Sequence, residues 1–225
     1  RCLVCRFAGD EVEFLASMLS ILGDKLNGAW AARIGLAETI DLNASNEVTI
    51  SESASINAST SGSGQGGDVI IRGNSVVIDG VSILGEASST GDGGDITIRG
   101  ETVAIQNSAN INVSSTLTGP NAGNAGTVTI QATDLEVSDS VLILATRGPG
   151  QGGDLLVTAD DISFTDSMIA AEASRAGDAG VIEMRGTTID LEDLRIDASV
   201  EGDGVGGDIL LQGDSITLTN PNFNI

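Results

Sequence analysis

The stretch GGDITIRG at residues 93–100 decides the fold, because versions of it recur along the chain. The position of its aspartate is repeated at residues 68, 95, 127, 154, 181 and 208, so successive repeats are 27, 32, 27, 27 and 27 residues long. A glycine precedes this position in all six repeats. We place the five extra residues of the long repeat around Thr118, Gly119, Pro120 and Asn121, where a loop can lengthen without disturbing strands.

Aliphatic residues alternate with variable ones directly after the repeated position. The first inward position holds Val69, Ile96, Val128, Leu155, Ile182 and Ile209. Two residues further on come Ile71, Ile98, Ile130, Val157, Met184 and Leu211. The position between them mixes Thr, Glu and aliphatic residues. Such a period of two predicts a strand with one face in the core.

Two more strands are predicted in every repeat. The second has inward columns of Val76, Val103, Leu135, Ile162, Ile189 and Ile216, and of Ile78, Ile105, Val137, Phe164, Leu191 and Leu218. The third carries Val81 and Ile83, Ala109 and Ile111, Val141 and Ile143, Ile169 and Ala171, Leu194 and Ile196, and Phe223. Its register shifts by one residue in the second and third repeats. A leading turn with Val48, Ile50, Ile56 and Ala58 precedes the regular repeats.

Three short strands in about 27 residues fit one coil of a β-solenoid. The repeat is too short for a βαβ unit or a propeller blade, and its glycines lack the three-residue period of collagen. We therefore predict an all-β, right-handed, single-stranded parallel β-helix over residues 39–225. About seven coils, stacked ~4.8 Å apart, give a rod on the order of 30–35 Å long. The glycine-rich stretches 61–67 and 148–153 are expected to be turns with positive φ.

The first 38 residues break the repeat. Between Asp10 and Ile34 apolar residues follow helical spacing, at Val12, Leu15, Ala16, Leu19, Leu22 and Leu26. An amphipathic segment covering the open first coil is a physical expectation, because an exposed sheet edge invites association. The alternative is a lead that is not a native cap. No signal peptide is recognisable, and the last repeat stops within a coil, so we expect further repeats in a larger chain.

Composition limits the functional classes. The chain carries 10 Lys and Arg against 32 Asp and Glu, a formal net charge of −22, which argues against non-specific nucleic-acid binding. No apolar run of about 18 residues exists, so no membrane span is predicted. There is no His, which excludes Ser-His and Cys-His nucleophiles. Cys2 and Cys5 form a C-x-x-C pair without the further ligands of a zinc site, and we interpret them as incidental.

Four aspartates of the repeated position are the candidates for a metal site: Asp68, Asp95, Asp154 and Asp208. Carboxylates suit calcium, but calcium-binding solenoids repeat every nine residues, and Thr127 and Val181 interrupt this column. The favoured interpretation is that these aspartates close glycine turns through side-chain to backbone hydrogen bonds. We therefore assign no catalytic residue, no cofactor and no metal.

Enzymatic use of a β-helix would require clustered acids or basic residues in a lateral cleft. Paired carboxylates occur at Asp160-Asp161, Glu192-Asp193 and Glu201/Asp203, yet acids lie on nearly every turn. Arg72, Arg99, Gln131 and Thr158 share an outward column that we interpret as a solvated face or a local charge partner. We therefore do not expect the chain to be an enzyme. A polysaccharide lyase or hydrolase, and a calcium-dependent scaffold, stay open as alternatives.

The repeat phrases resemble a known family. GGDITIRG at 93–100 and NAGTVTIQA at 124–132, each followed by a strand, and SANINVSST at 108–116 are similar to repeats of cyanobacterial filamentous-haemagglutinin-like exoproteins of the two-partner secretion type. The resemblance covers roughly residues 40–225. It implies a right-handed β-helix shaft, export to the cell surface, and adhesion to host or neighbouring cells or to extracellular polysaccharide. Residues 1–38 do not match the family, and no site residue is carried over.

Overall fold

Parallel strands make up all the regular structure in the described part of the chain. The structure is a computed structural model and describes residues 26–27, 39–51 and 54–225. Its 24 strands form three long sheets and one short one, and all strand pairs run parallel. The chain is therefore the predicted β-solenoid. Its right-handed sense stays a prediction, which the rule for parallel crossovers supports.

Each coil contributes one strand to each long sheet, in the chain order B, A, C. Sheet B contains β2 (Ile40–Asn43), β5 (Val69–Arg72), β8 (Ile96–Arg99), β11 (Val128–Gln131), β14 (Leu155–Thr158), β18 (Ile182–Arg185) and β22 (Ile209–Gln212). Sheet A contains β1 (Leu26–Asn27), β3 (Glu47–Ser51), β6 (Ser75–Asp79), β9 (Thr102–Gln106), β12 (Asp134–Ser138), β15 (Asp161–Thr165), β19 (Thr188–Glu192) and β23 (Ser215–Thr219). Sheet C contains β4 (Ser55–Asn57), β7 (Ser82–Leu84), β10 (Asn110–Asn112), β13 (Val141–Ile143), β16 (Met168–Ala170), β20 (Arg195–Asp197) and β24 (Asn222–Asn224). The coils, numbered 1 to 7, begin at residues 40, 69, 96, 128, 155, 182 and 209.

Ladders of aliphatic side chains fill the interior of the coil. In sheet B, Ile98 lies between Ile71 and Ile130, and all three are completely buried. The inward columns predicted for sheets A and B are confirmed by the register of the pairs. Phe164 is the largest buried side chain and takes the place that Val or Leu fills in neighbouring coils. Burial of such columns is the main contribution to stability, since it scales with the apolar area removed from water.

The third strand of coil 4 differs from the prediction. Val141 and Ile143 were expected to face inward, but Leu142 stacks between Ile111 and Ile169 and is completely buried, while Val141 and Ile143 are half-buried on the outside. A shift of one residue turns a strand over. Because both alternating sets are aliphatic here, the local pattern does not distinguish the two faces.

The five-residue insertion is divided between two places. Coil 3 has three residues between β9 and β10, whereas coils 2 and 4 to 7 have two residues between the corresponding strands. The extra residue lies in the turn at Asn107-Ser108. Ser115 is bridged to Ala87, 28 residues earlier, so the remaining four extra residues follow Ser115, in the stretch around Thr118–Asn121. The predicted position of the insertion is thus confirmed for four of its residues and wrong for the fifth.

A protruding loop, which we call the leaf, connects sheet C to the next coil. It spans residues 58–68, 85–95, 113–127, 144–154, 171–181 and 198–208. The Gly94 N–H donates to the Gly85 carbonyl oxygen at 2.7 Å and pinches the leaf at its base, and an equivalent bond recurs in the other leaves. Successive leaves stack through isolated bridges and, in coils 5 and 6, through β17 (Ala173–Arg175) and β21 (Val200–Gly202).

The leaf glycines do not have the positive φ that their sequence suggested. None in stretches 61–67 and 148–153 lies in the left-handed region. Instead, a Cβ built on Gly94, Gly126, Gly153, Gly180 or Gly207 would lie within 3.0 Å of the carbonyl oxygen of the glycine one coil earlier. Close stacking of backbones, rather than backbone conformation, therefore requires glycine in this column.

Most of the predicted amino-terminal cap lies outside the described residues. Leu26 and Asn27, the two described residues of the predicted helical stretch, form β1 and pair with Ile50 and Ser51 at the first edge of sheet A. They are thus strand and not helix. At the opposite end, Ile216, Leu218 and Phe223 continue the inward columns but are 38–45 % exposed, because coil 7 is covered from one side alone.

Candidate functional site

The outer surface of sheet A, which we call the acidic face, carries negative charge alone. Seven of its outward side chains are carboxylates: Glu47, Asp79, Asp134, Glu136, Asp161, Asp190 and Glu192. The six arginines of the described residues lie elsewhere, on sheet B (Arg72, Arg99 and Arg185), on sheet C (Arg195) and in the leaf (Arg147 and Arg175). The acidic face therefore has a negative electrostatic potential that no basic side chain among its described outward residues offsets.

A hollow of about 330 Å³ lies in the middle of the acidic face. It extends over four strands, β9, β12, β15 and β19. Its lining combines carboxylates and hydroxyls with small and aliphatic residues: Thr102, Val103, Ala104, Asp134, Leu135, Glu136, Asp161, Ile162, Ser163, Thr188 and Asp190. Ala104 and Ser163 flank Glu136 in one outward column, and their small size leaves room around it. Sequence reasoning missed this hollow.

The carboxylates of the hollow have no structural partner. Among the described residues, Asp134, Glu136, Asp161 and Asp190 make no side-chain hydrogen bond or ion pair. Asp134 pairs directly with Asp161 across the β12–β15 ladder. Like charges directly opposite each other destabilise a sheet. These four acids therefore contribute no hydrogen bond or ion pair that joins the coils.

Three of the four aspartates named as metal candidates accept backbone hydrogen bonds from the next coil. A side-chain oxygen of Asp68 accepts the Asp95 N–H at 3.0 Å, that of Asp95 accepts the Thr127 N–H at 2.8 Å, and that of Asp154 accepts the Val181 N–H at 2.8 Å. The bonds are side chain to backbone, as favoured, but they join neighbouring coils rather than closing one turn. Asp208 is exposed and has no further coil beside it. In the described part of the chain, no group of three or more potential ligands surrounds these aspartates.

A second ladder of this kind, which was not predicted from the sequence, runs through the leaf. Asp92 accepts the Asn124 N–H at 2.7 Å, Asn124 accepts the Gln151 N–H at 2.8 Å, and Asp178 accepts the Val205 N–H at 2.8 Å. Its signal is the column three residues before the first-ladder positions, in which three members, Asp92, Asn124 and Asp178, are Asp or Asn.

The paired carboxylates are distributed over different surfaces. Asp161 and Glu192 lie on the acidic face, whereas Asp160 and Asp193 lie in the turns on either side of sheet A. Asp193 has a φ of 49°. Glu201 and Asp203 lie in the last leaf, so the three pairs do not form one site.

The predicted arginine column exists and is partly neutralised. Arg72, Arg99, Gln131 and Thr158 stack in register on the outside of sheet B. Arg72 makes two bonds to the Asp41 carboxylate, at 2.9 and 3.0 Å, and Arg185 contacts Glu183 and Gln212. The interpretation of this column as an exposed surface with local charge partners is consistent with both contacts.

Three carboxylates lie in the corner between sheet C and the leaf, and burial and hydrogen bonds shift their pKa values in different directions. Desolvation raises the pKa of Glu86 and of Glu172, which for Glu172 is reinforced by the charge of Asp197. Burial acts in the same direction on Asp197, but bonds from Ser199, Arg195 and Asn224 outweigh it and lower the pKa of that carboxyl. Neighbouring acids with opposite shifts are typical of catalytic pairs as well as of structural networks.

The remaining sequence candidates add no site. Cys2 and Cys5 lie outside the described residues. The described residues include no helix with the length and hydrophobicity needed to cross a bilayer. Comparison of the chain with family models, with curated protein sequences and with solved structures finds no match in any of the three.

Proposed function

We propose that this chain is a rod-like structural segment of a bacterial adhesin, secreted or displayed on the outer cell surface. The observation that carries the proposal is the difference between the inward and the outward positions of the coil. Inward columns and leaf glycines are nearly invariant from coil to coil, whereas the outward positions vary freely in charge and size. A shaft that extends by stacking and presents side chains along its length needs this arrangement.

Two further points support an extracellular role. The repeat phrases resemble exported cyanobacterial exoproteins, and the family likeness implies adhesion to host or neighbouring cells or to extracellular polysaccharide. The net charge of −22 keeps such a rod soluble and repels nucleic acid. Adhesion itself is an inference from architecture and likeness, since a fold does not determine a function.

Retention of bacterial cells or polysaccharide on a surface coated with the purified chain tests the proposal. We expect cells of a producing culture to be retained well above a surface coated with an unrelated acidic protein of similar charge. Antibodies against the rod should also label intact cells. Absence of surface labelling on cells that produce the protein would contradict the extracellular role.

The corner carboxylates favour a second candidate, a carbohydrate-active enzyme. Two acids with pKa values shifted apart, such as Glu172 and Asp197, are what general acid–base cleavage of a glycosidic bond requires. Reducing-end or unsaturated-product assays on acidic and neutral polysaccharides distinguish the two. Turnover that is lost in Glu172→Gln would establish the enzyme, and adhesion would no longer be the sole function.

A calcium-dependent scaffold is the third candidate, and it is easily tested. The first-ladder carboxylates Asp68, Asp95 and Asp154 each use an oxygen for a backbone N–H of the next coil. We therefore expect the melting temperature to be the same with excess chelator and with millimolar calcium. A rise with calcium would favour the scaffold.

A further inference from the structure

We propose that Asn43 is an N-glycosylation site, at which a sugar is attached to the side-chain amide on the outer surface of coil 1. The inference rests on the extracellular role proposed above for its biological setting, since such sugars are typical of surface positions in secreted proteins. Its structural basis is separate. It lies in the difference between Asn43 and the other asparagines that share its motif.

The motif is an asparagine followed two residues later by serine or threonine, with any residue except proline between them. Among the described residues it occurs three times, as NAS at 43–45, NAS at 57–59 and NVS at 112–114. Ser and Thr are frequent in this chain, so the motif alone is a weak signal. The surroundings of each amide are what distinguish the three positions.

The amides of Asn112 and Asn57 are held within the fold. Asn112 is 8 % exposed, its Nδ2 donates to Glu86 Oε1 at 2.6 Å, and its Oδ1 accepts the Ser114 N–H at 2.9 Å. Asn57 is half-buried at the same position of sheet C two coils earlier, and its Oδ1 accepts the Ser59 N–H at 2.9 Å. A sugar on Nδ2 of Asn112 would need the space that Glu86 occupies, so the folded coil excludes it.

Asn43, in contrast, is exposed on the outside of sheet B. It is the last residue of β2, which is the first strand of sheet B, so no described strand lies on its other side. Its side chain makes no hydrogen bond with another described residue, although the neighbouring Arg72 is bonded to Asp41. Ser45, which completes the motif, is exposed in the bend that follows. A glycosyltransferase can therefore reach both the amide nitrogen and the hydroxyl from one surface.

The modification requires an enzyme and a glycosyl diphosphate donor, and no catalytic group of this chain. The Nδ2 atom of Asn43 forms a bond to the anomeric carbon of the sugar, while the bond from that carbon to the phosphate oxygen breaks. The diphosphate leaves with the bonding electrons, and one amide proton is released to solvent. The product is a bulky, hydrated group that increases the solubility of the rod at this position.

Mass spectrometry of the chain recovered from cells that produce it tests the proposal. We expect peptides containing Asn43 to carry one or more sugar residues, and peptides containing Asn57 or Asn112 to carry none. Asn43 and Asn57 lie on the same tryptic peptide, so the digestion includes a protease that cuts after Glu47 to separate them. An unmodified Asn43, or equal modification of the other two asparagines, would overturn the proposal.

Two variants at Ser45 show whether the motif is responsible. Ser45→Ala keeps Asn43 but removes the motif, and we expect the sugar to be lost. Ser45→Thr keeps the motif and should keep the sugar. Thermal melting of both variants shows that they fold, as expected for substitutions at an exposed position. A sugar that persists in Ser45→Ala contradicts the assignment.

The outcomes for this site and for the adhesive role are distinguishable. A chain that is labelled on the cell surface but unmodified at Asn43 would leave the adhesive role standing and remove the glycosylation site. A sugar on Asn43 of a chain that stays inside the cell would keep the site and remove the extracellular role.

Discussion

Each coil bends at a short turn between sheets A and C and bends again in the leaf, and these two bends select residues for different reasons. In the short turn of coil 2 and of coils 4 to 7 one residue is left-handed, with φ between 46° and 65°: Gly80, Asp139, Asp166, Asp193 and Asn220. Coil 3, whose turn is one residue longer, has two such residues, Asn107 and Ser108. In the leaf the column glycines, such as Gly94, Gly126 and Gly153, have ordinary φ, and positive φ occurs among the described leaf residues at Arg175 and Gly202 alone. One bend is limited by conformation and the other by contact between coils.

A glycine in a solenoid can therefore indicate either a left-handed backbone conformation or a close contact between neighbouring coils. Asp and Asn tolerate the left-handed region because their side chains bond locally, so the short turn does not need glycine. No side chain fits between leaf backbones that stack this closely. The following predictions, from the largest expected effect to the smallest, test this contrast and the roles of the acids around it.

Adding a methyl group to a glycine of the leaf column should have the largest effect on stability. In Gly153→Ala the new Cβ would overlap the Gly126 carbonyl oxygen, and the backbone must shift to accommodate it. We expect the free energy of unfolding to fall by about 1–3 kcal/mol in urea denaturation. Gly64→Ala is the matched control, because nothing lies within 4 Å of its Cβ, and it should not destabilise the chain. Equal losses in both would refute a contact origin.

The short turn, in contrast, should tolerate a substitution by glycine better than a substitution by a β-branched residue. Asp166→Val forces a β-branched residue to a φ of 48° and should reduce stability by about 1–2 kcal/mol. Asp166→Gly should cost clearly less, since glycine adopts this conformation freely. Thermal melting followed by circular dichroism measures both. A glycine variant less stable than the valine variant would show that the Asp side chain matters more than the backbone.

Removal of an acid from the first ladder should have a smaller effect. Asp154→Ala leaves the Val181 N–H without its acceptor, and we expect a loss of about 1 kcal/mol. Asp208→Ala, at the same repeat position but with no coil beside it, should be close to neutral. A comparable loss at both positions would mean that the aspartates act within their own turn.

Substitutions of the corner carboxylates Glu86 and Asp197 should have the smallest effects on stability, and the two effects should have opposite signs. The raised pKa of Glu86 means that the folded state holds its proton more tightly, so its penalty grows as pH rises above about 4.5. Glu86→Gln should therefore raise the melting temperature at pH 7 and lose this gain below pH ~4.5. The lowered pKa of Asp197 gives stability above its ordinary value of 3.8 that is lost on acidification. Asp197→Asn should therefore lower the melting temperature at pH 7, and Glu101→Gln serves as an exposed control.

Much of the fold could be predicted because the repeat places chemically similar residues in every coil. The columns through Ile98 and Ile105 required no structural information, since alternation within a strand and recurrence between repeats agree. Prediction failed where two alternatives had the same chemistry. Val141-Leu142-Ile143-Leu144 is aliphatic on both faces. Asn107-Ser108 has the same turn-forming composition as the shorter turns at Asp139-Ser140 and Asp166-Ser167, so composition does not reveal its extra residue.

The candidate sites were less predictable, because they depend on which outward residues become neighbours. Asp134 and Asp161 are 27 residues apart in the chain and adjacent in the sheet. The acids outnumber every other charged type, so their sequence positions alone do not separate bonded ladders from an unpartnered face. The register, once known, makes that separation for each carboxylate.

The sequence by itself determined that this protein is a parallel β-solenoid of about seven coils, because a 27-residue period of alternating aliphatic residues can bury its core only by stacking coil on coil. Only the tertiary structure decided why the leaf needs glycine, which aspartates are bonded to backbone, and where carboxylates are left facing one hollow. These properties depend on distances between neighbouring coils, and a pattern along the chain does not contain those distances.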